Sequence, residues 1–195
     1  MIAFKGVTKN MESRLGNKVI KFELGKTYKE ESSKTVRSGF HCCENPIECL
    51  TYYSLGTDRF FVVEAGGDID EDDQERISCT EITFLKELDI FSFAYQCMCY
   101  IINHPKRDWV KDTRSVKVSR DIASAEYIAI AIGEQPMARV TSPDGVIGLI
   151  VEENGEFTGA TFKRVSEKVH RGVYYTISDK GVREATDEEK NDREN

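Results

Sequence analysis

Six cysteines, three histidines and a run of closely spaced aspartates are the side chains with most chemistry to offer in this 195-residue chain. His41 directly precedes Cys42 and Cys43, and Glu44 follows them. Structural zinc is usually held by paired C-x(2–4)-C hooks, and the sequence has none. Cys97 and Cys99 lie two apart in a stretch with helical spacing, so they point to different faces. No metal site is therefore expected. Six cysteines are also too sparse for a disulfide scaffold, and neighbours such as Cys42 and Cys43 cannot easily bridge each other. The thiols are expected to be reduced and mostly packed as small hydrophobes. His41, Cys42 and Glu44 are candidates for a pocket at a strand end; the plainer alternative is a histidine whose ring bonds a carbonyl and steadies the turn. Nucleophilic work by Cys42 or Cys43 needs a base and an orienting group. His104 and His170 read as structural or exposed. No phosphate-binding glycine loop, HExxH or GxSxG is present.

The run GGDIDEDD places Asp68, Asp70 and Asp72 at the D-x-D-x-D spacing of a calcium loop. Its sixth position is Asp73 where a turn glycine belongs, and its twelfth is Cys79 where a bidentate glutamate belongs. Two readings remain. One is a solvated loop; the other has Asp68, Asp70, Glu71, Asp72 and Asp73 presenting carboxylates to a basic protein surface. The formal charge is −7, and it is localised. Glu64–Glu75 holds seven acids and no base, and Glu184–Asn195 holds six acids and two bases, so the remainder is slightly basic. This balance argues against direct nucleic-acid binding and against an anionic-membrane surface. Apolar runs fall short of the roughly 20 residues of a membrane span, and MIAFKGVTKN lacks signal-peptide order, so a cytoplasmic location is expected.

The elements that must position these groups follow from periodicity. IAFK and Val19–Glu23 read as strands parted by turn residues. Asn45-Pro46-Ile47-Glu48 reads as a capped helix start running to about Tyr53. Arg59–Ala65 and Ile77–Phe84 read as two strands joined by an acidic excursion. Leu88, Phe91, Met98 and Ile101 recur at helical spacing, which predicts a buried helix from about Asp89 to Asn103, ended by Pro105. The charged stretch 105–114 reads as a module boundary. From Val116 the texture becomes short strands of small residues, with turns at Ser142–Gly145 and Glu153–Gly155. Phe157–Val165 and Val173–Ile177 read as a last strand pair. The expected fold class is α+β: a mixed α+β module over 1–112, a β-rich module over 113–184 (a compact sheet or a short stack of β-coils), and a disordered acidic tail over 185–195.

The cluster Gly39-Phe40-His41-Cys42-Cys43-Glu44-Asn45-Pro46, with Leu50, Tyr52-Tyr53, Gly67-Asp68-Ile69 and Ile77–Ile82, resembles a family of uncharacterised phage and prophage proteins. In that family such a module precedes Gly-, Ala- and Ser-rich β repeats and a closing strand. Ile122–Val151 and Gly172–Tyr175 look like shortened versions of both. The resemblance implies origin and architecture: a phage or prophage accessory protein in a bacterial host's cytoplasm. It fits non-covalent binding, such as inhibition of a host or defence-system protein with a basic surface, and no cofactor. Lys5-Gly6, Gly39–Tyr53 and Glu81 also resemble ADP-ribosyltransferase-type folds. That likeness implies NAD as cofactor, His41 and Tyr52 or Tyr53 holding the nicotinamide ribose, and Glu81 stabilising oxocarbenium charge, although Lys5 stands where that fold carries Arg or His. A third reading is sequestration of a small nucleotide or signal molecule near His41.

Overall fold

Apolar residues at every second position along 59–65 set one face of a strand, and Phe61, Val63 and Ala65 are indeed buried together. A computed structural model describes residues 1–13, 19–33, 38–71 and 76–194. The chain divides into two compact units, Met1–Asp89 and Ile90–Asn195.

The first unit contains β1 (Ile2–Val7), β2 (Thr27–Lys29), β3 (Phe40–Cys43), β4 (Arg59–Glu71) and β5 (Arg76–Leu88). All pairings are antiparallel: β1 with β3 and β4, and β5 with β2, β3 and β4. Because β4 meets both β1 and β5, the sheet closes on itself as a small barrel. Its core joins Ala3, Val7, Phe40, Cys42, Phe61, Cys79, Ile82 and Phe84. Phe22 stacks on Phe84 with ring centroids 4.6 Å apart. The segment 19–23 makes no strand of its own; it touches the sheet pattern only through a single Glu12–Lys21 bridge and contributes Phe22 to the core. The Asn45-Pro46 start does form, with the Ile47 amide donating to Asn45 Oδ1 at 3.0 Å, but the turn that follows is a 3₁₀ helix over Pro46–Thr51. Six residues are enough to bury Ile47 and Cys49 against the barrel, and short runs favour the tighter helix.

In the second unit, helix α1 (Ile90–Asn103) buries Phe93, Ala94, Cys97, Met98, Tyr100 and Ile101, as its spacing predicts. The strands are β6 (Lys111–Asp112), β7 (Val116–Ala125), β8 (Ile128–Val140), β9 (Val146–Glu153), β10 (Glu156–Arg164), β11 (Tyr175–Ser178) and β12 (Gly181–Glu184). Strands β7, β8 and β9 run parallel, and Val116 pairs with Ile128, which pairs with Val146. Parallel neighbours ordinarily need a crossover of a dozen or more residues. Here the chain itself comes round, after 12 residues and then 18, so the region is a short stack of β-coils. Ala123, Ala125, Ala129, Ala131 and Ala138 are buried within it, small enough for close stacking. Strand β10 pairs with β9, and β11 with β8 and β12, so Phe157–Val165 and Val173–Ile177 do not pair with each other.

Two further expectations are corrected. About half the residues are strand and the helices are short, so the fold is all-β and not α+β. Among the described residues, the longest helix belongs to the coil unit, and the first unit has a 3₁₀ turn. The tail is likewise not structureless throughout: Asp187–Glu194 forms a helix, α2. Thr186 Oγ1 accepts from the Glu189 amide at 3.3 Å, Glu189 Oε2 accepts from the Thr186 amide at 2.8 Å, and Arg183 grips both Glu189 oxygens. That grip holds the Glu189 carboxyl down to about 2.

Candidate functional site

Strand alternation decides what the GFHCCENP segment offers. Phe40 and Cys42 point into the barrel core, so His41 and Cys43 lie on the opposite face of β3. Lys5, on the same face of β1 as Ala3 and Val7, is 6% exposed. Its Nζ donates to the His41 carbonyl and sits 5.6 Å from the Phe22 ring centroid. The Lys5 charge acts on four thiols: Cys42, Cys43, Cys49 and Cys79.

These thiols act on each other in two pairs, Cys42 of β3 with Cys79 of β5, and Cys43 at the end of β3 with Cys49 of the 3₁₀ turn, and Cys79 Sγ donates to the Phe40 carbonyl at 3.5 Å. Within each pair the thiols diverge. Interaction with Cys79, with burial, pushes Cys42 well up, and Cys79 is lowered by the same interaction. Interaction with Cys43, with burial, pushes Cys49 well up. Cys43 is lowered by its interaction with Cys49, then by the charges of Lys5 and Arg76, against burial and Glu48. All six cysteines are free thiols. The Arg76 guanidinium also reaches the Tyr52 hydroxyl at 3.2 Å.

The other residues singled out from the sequence have separate settings. Glu44 is exposed just past β3, so His41, Cys42 and Glu44 do not line one face. Tyr53 is buried over Gly6, where an added Cβ would stand 2.4 Å from its ring. Glu81 is bound to Lys29 Nζ at 2.6 Å. Asp68, Asp70 and Glu71 lie not in a loop but in β4, where Ile69, Asp70 and Glu71 pair with Cys79, Ser78 and Ile77. Strand β1 pairs with β4 only from Arg59 to Glu64, so the acidic half of β4 runs on along β5 beyond β1. Residues 67–71 are all exposed. The Asp68 amide donates to Thr80 Oγ1 at 2.8 Å and its carbonyl accepts from Ser33 Oγ at 3.0 Å, which fixes the start of this stretch. Asp72 and Asp73 lie outside the described residues.

A second feature escaped sequence reasoning. In the coil unit the β7–β8 pairing shifts register, with Arg120 opposite Ile132 and Ile122 opposite Met137. Asp121 adopts a left-handed φ of 57° at that shift, and residues 133–136 of β8 go round it. A Cβ on Gly133 would stand 2.4 Å from Asp121 Oδ1. An open cleft of about 920 Å³ results, lined by Arg120, Asp121, Glu134, Glu152 and Asn154 among others. Arg120 is ion-paired with Glu152. Gly133 and Pro136, breaking the alternation of 128–140, were the available signal.

Among the described residues, no three His, Cys, Asp or Glu side chains come together to hold a metal, and no helix is long and apolar enough to cross a membrane. Residues 1–96 match a family model described as a domain of unknown function (DUF7666), a match that covers the closed barrel and ends inside α1. No curated protein and no solved structure matches the chain.

Proposed function

We propose that the protein acts by non-covalent binding, laying the acidic half of β4 on a basic surface of a partner protein. The observation that carries this reading is the run of exposed residues 67–71, in which Asp68, Asp70 and Glu71 are held on hydrogen-bonded strand beyond the end of β1. A strand fixes the spacing of its carboxylates before binding, so less ordering entropy opposes the complex than for a free loop. Carboxylates on such a stretch also discourage edge-to-edge pairing with other sheets. The resemblance of the GFHCCENP segment to phage and prophage proteins supports a host or defence-system protein in a bacterial cytoplasm as the target. A second reading, capture of a small polar ligand, is favoured by the cleft beside Asp121, whose volume lies in the range of ligand pockets.

Affinity capture from a bacterial host lysate, with mass spectrometry of bound proteins and small molecules, distinguishes the two. A basic protein partner should then bind a variant neutralised together at Asp68, Asp70, Glu71, Asp72 and Asp73 more weakly and with a shallower salt dependence. Unchanged affinity and unchanged salt slope would remove the acidic strand from the interface.

A further inference from the structure

Strand β10 is the outermost strand on one side of the coil stack: it pairs with β9, and among the described residues its other edge meets no strand. The Val165 amide donates to the Gly145 carbonyl at 2.9 Å, and the antiparallel register runs unbroken from there back to Gly159. By the alternation of an antiparallel ladder, the backbone groups of Gly159, Thr161 and Lys163 turn toward β9, and those of Ala160, Phe162 and Arg164 turn away from it. The stretch from Phe157 to Phe162 holds no charge and no proline, the residues that ordinarily guard an open edge. Charge sits at the ends alone, with Glu156 at the start and Lys163 and Arg164 at the finish, all three exposed. Apolar surface lies beside the strand, since Tyr95 is 46% exposed with its ring 5.5 Å from that of Phe162.

From this charge order on an unpaired edge, we propose that two copies of the chain join through β10, antiparallel about a two-fold axis at Ala160. In that register Glu156 of each copy lies opposite Arg164 of the other, with Lys163 alongside, and the two Ala160 residues face each other. A two-fold contact uses the same patch on both copies, so a strand complements itself only if its two ends carry opposite charge, as these do. Parallel pairing in register would instead set like charges side by side. The outward amides and carbonyls of Ala160, Phe162 and Arg164 gain partners, as in any addition of a strand to a sheet edge. The bulge between Phe157 and Gly159 bends the strand, so the centre of the contact is short and the end charges decide which strand fits. The contact lies wholly in the second unit and uses no residue of the acidic half of β4.

Sedimentation equilibrium of the full chain over a concentration series should show twice the 22.2 kDa chain mass at its upper end and dissociation on dilution. Glu156→Lys and Arg164→Glu each set like charges at both ends of the contact, and each should weaken the dimer by about tenfold or more. An equal mixture of the two variants should restore it, because a mixed pair again has opposite charges at both ends. In hydrogen exchange of the wild-type chain, the Phe162 and Arg164 amides should exchange more slowly at high concentration than at low. A monomer at every concentration, variants that dimerise as tightly as wild type, two folded variants that stay monomeric when mixed, or exchange at those amides that ignores concentration would each overturn the proposal. The wild-type exchange pattern decides it even where a variant fails to fold.

Discussion

Gly6 and Tyr53 illustrate how much of the first unit turns on single contacts. Gly6 is followed by Val7 in β1, and its missing side chain is the space that Tyr53 fills. A Cβ there would come within 2.8 Å even of Tyr53 Cβ, so rotating the ring cannot relieve the clash and the chain after the 3₁₀ turn must shift. Gly6→Ala should therefore destabilise the protein by about 1–3 kcal/mol, measured by urea denaturation, in the range for overpacking a filled site. A change below a few tenths would mean that Tyr53 is not seated as described. Little of this was legible in sequence. Tyr53 reads equally as a helix-face residue or a ribose clamp, and the Cys42–Cys79 pair exists only because β3 and β5 align Phe40 with Cys79. Sequence spacing says nothing about a register between residues 39 positions apart, whereas Asn45-Pro46 announces its own cap because capping is local.

At the level of elements, the legible ones were those that repeat their pattern over many residues. Helix α1 keeps apolar residues at three- and four-residue steps, and it forms where that spacing predicts. The acidic half of β4 reads as a loop in sequence because its exposed side chains show no alternation, although its backbone pairs with β5. Thr186 and Glu189 carried a capping-box spacing that composition overshadowed. The coil stack was readable only as one of two possibilities, since small alternating residues suit either a sheet or coils. In the parallel register, buried alanines lie between neighbouring strands, Ala123 opposite Ala138 and Ala131 between Ser119 and Leu149. Ala131→Leu inserts a larger side chain where none of the residue is exposed, and it should cost about 1–3 kcal/mol in urea unfolding. A neutral outcome would indicate that the alanine layer is loosely packed.

Across the whole molecule, the division at Asp89 and Ile90 assigns α1 to the coils although it directly follows β5 in sequence and the DUF7666 match includes its first half. The assignment has a physical basis in its contacts. A Cβ on Gly148 of β9 would stand 2.5 Å from Met98 Sδ, Phe91 lies 5.0 Å from Phe162 of β10 between ring centroids, and Trp109 beyond the helix donates to the His104 carbonyl at 2.9 Å. Elements sharing a core open together, so native-state hydrogen exchange should group the α1 amides with β8 and β9 and apart from β4 and β5. The two substitutions argued above make this a discriminating experiment. Ala131→Leu should lower protection in α1, β8 and β9 while leaving β4 and β5 nearly unchanged, and Gly6→Ala should do the reverse. If α1 instead follows β4 and β5, the helix takes its stability from the barrel, and the boundary between cooperative units lies after Asn103.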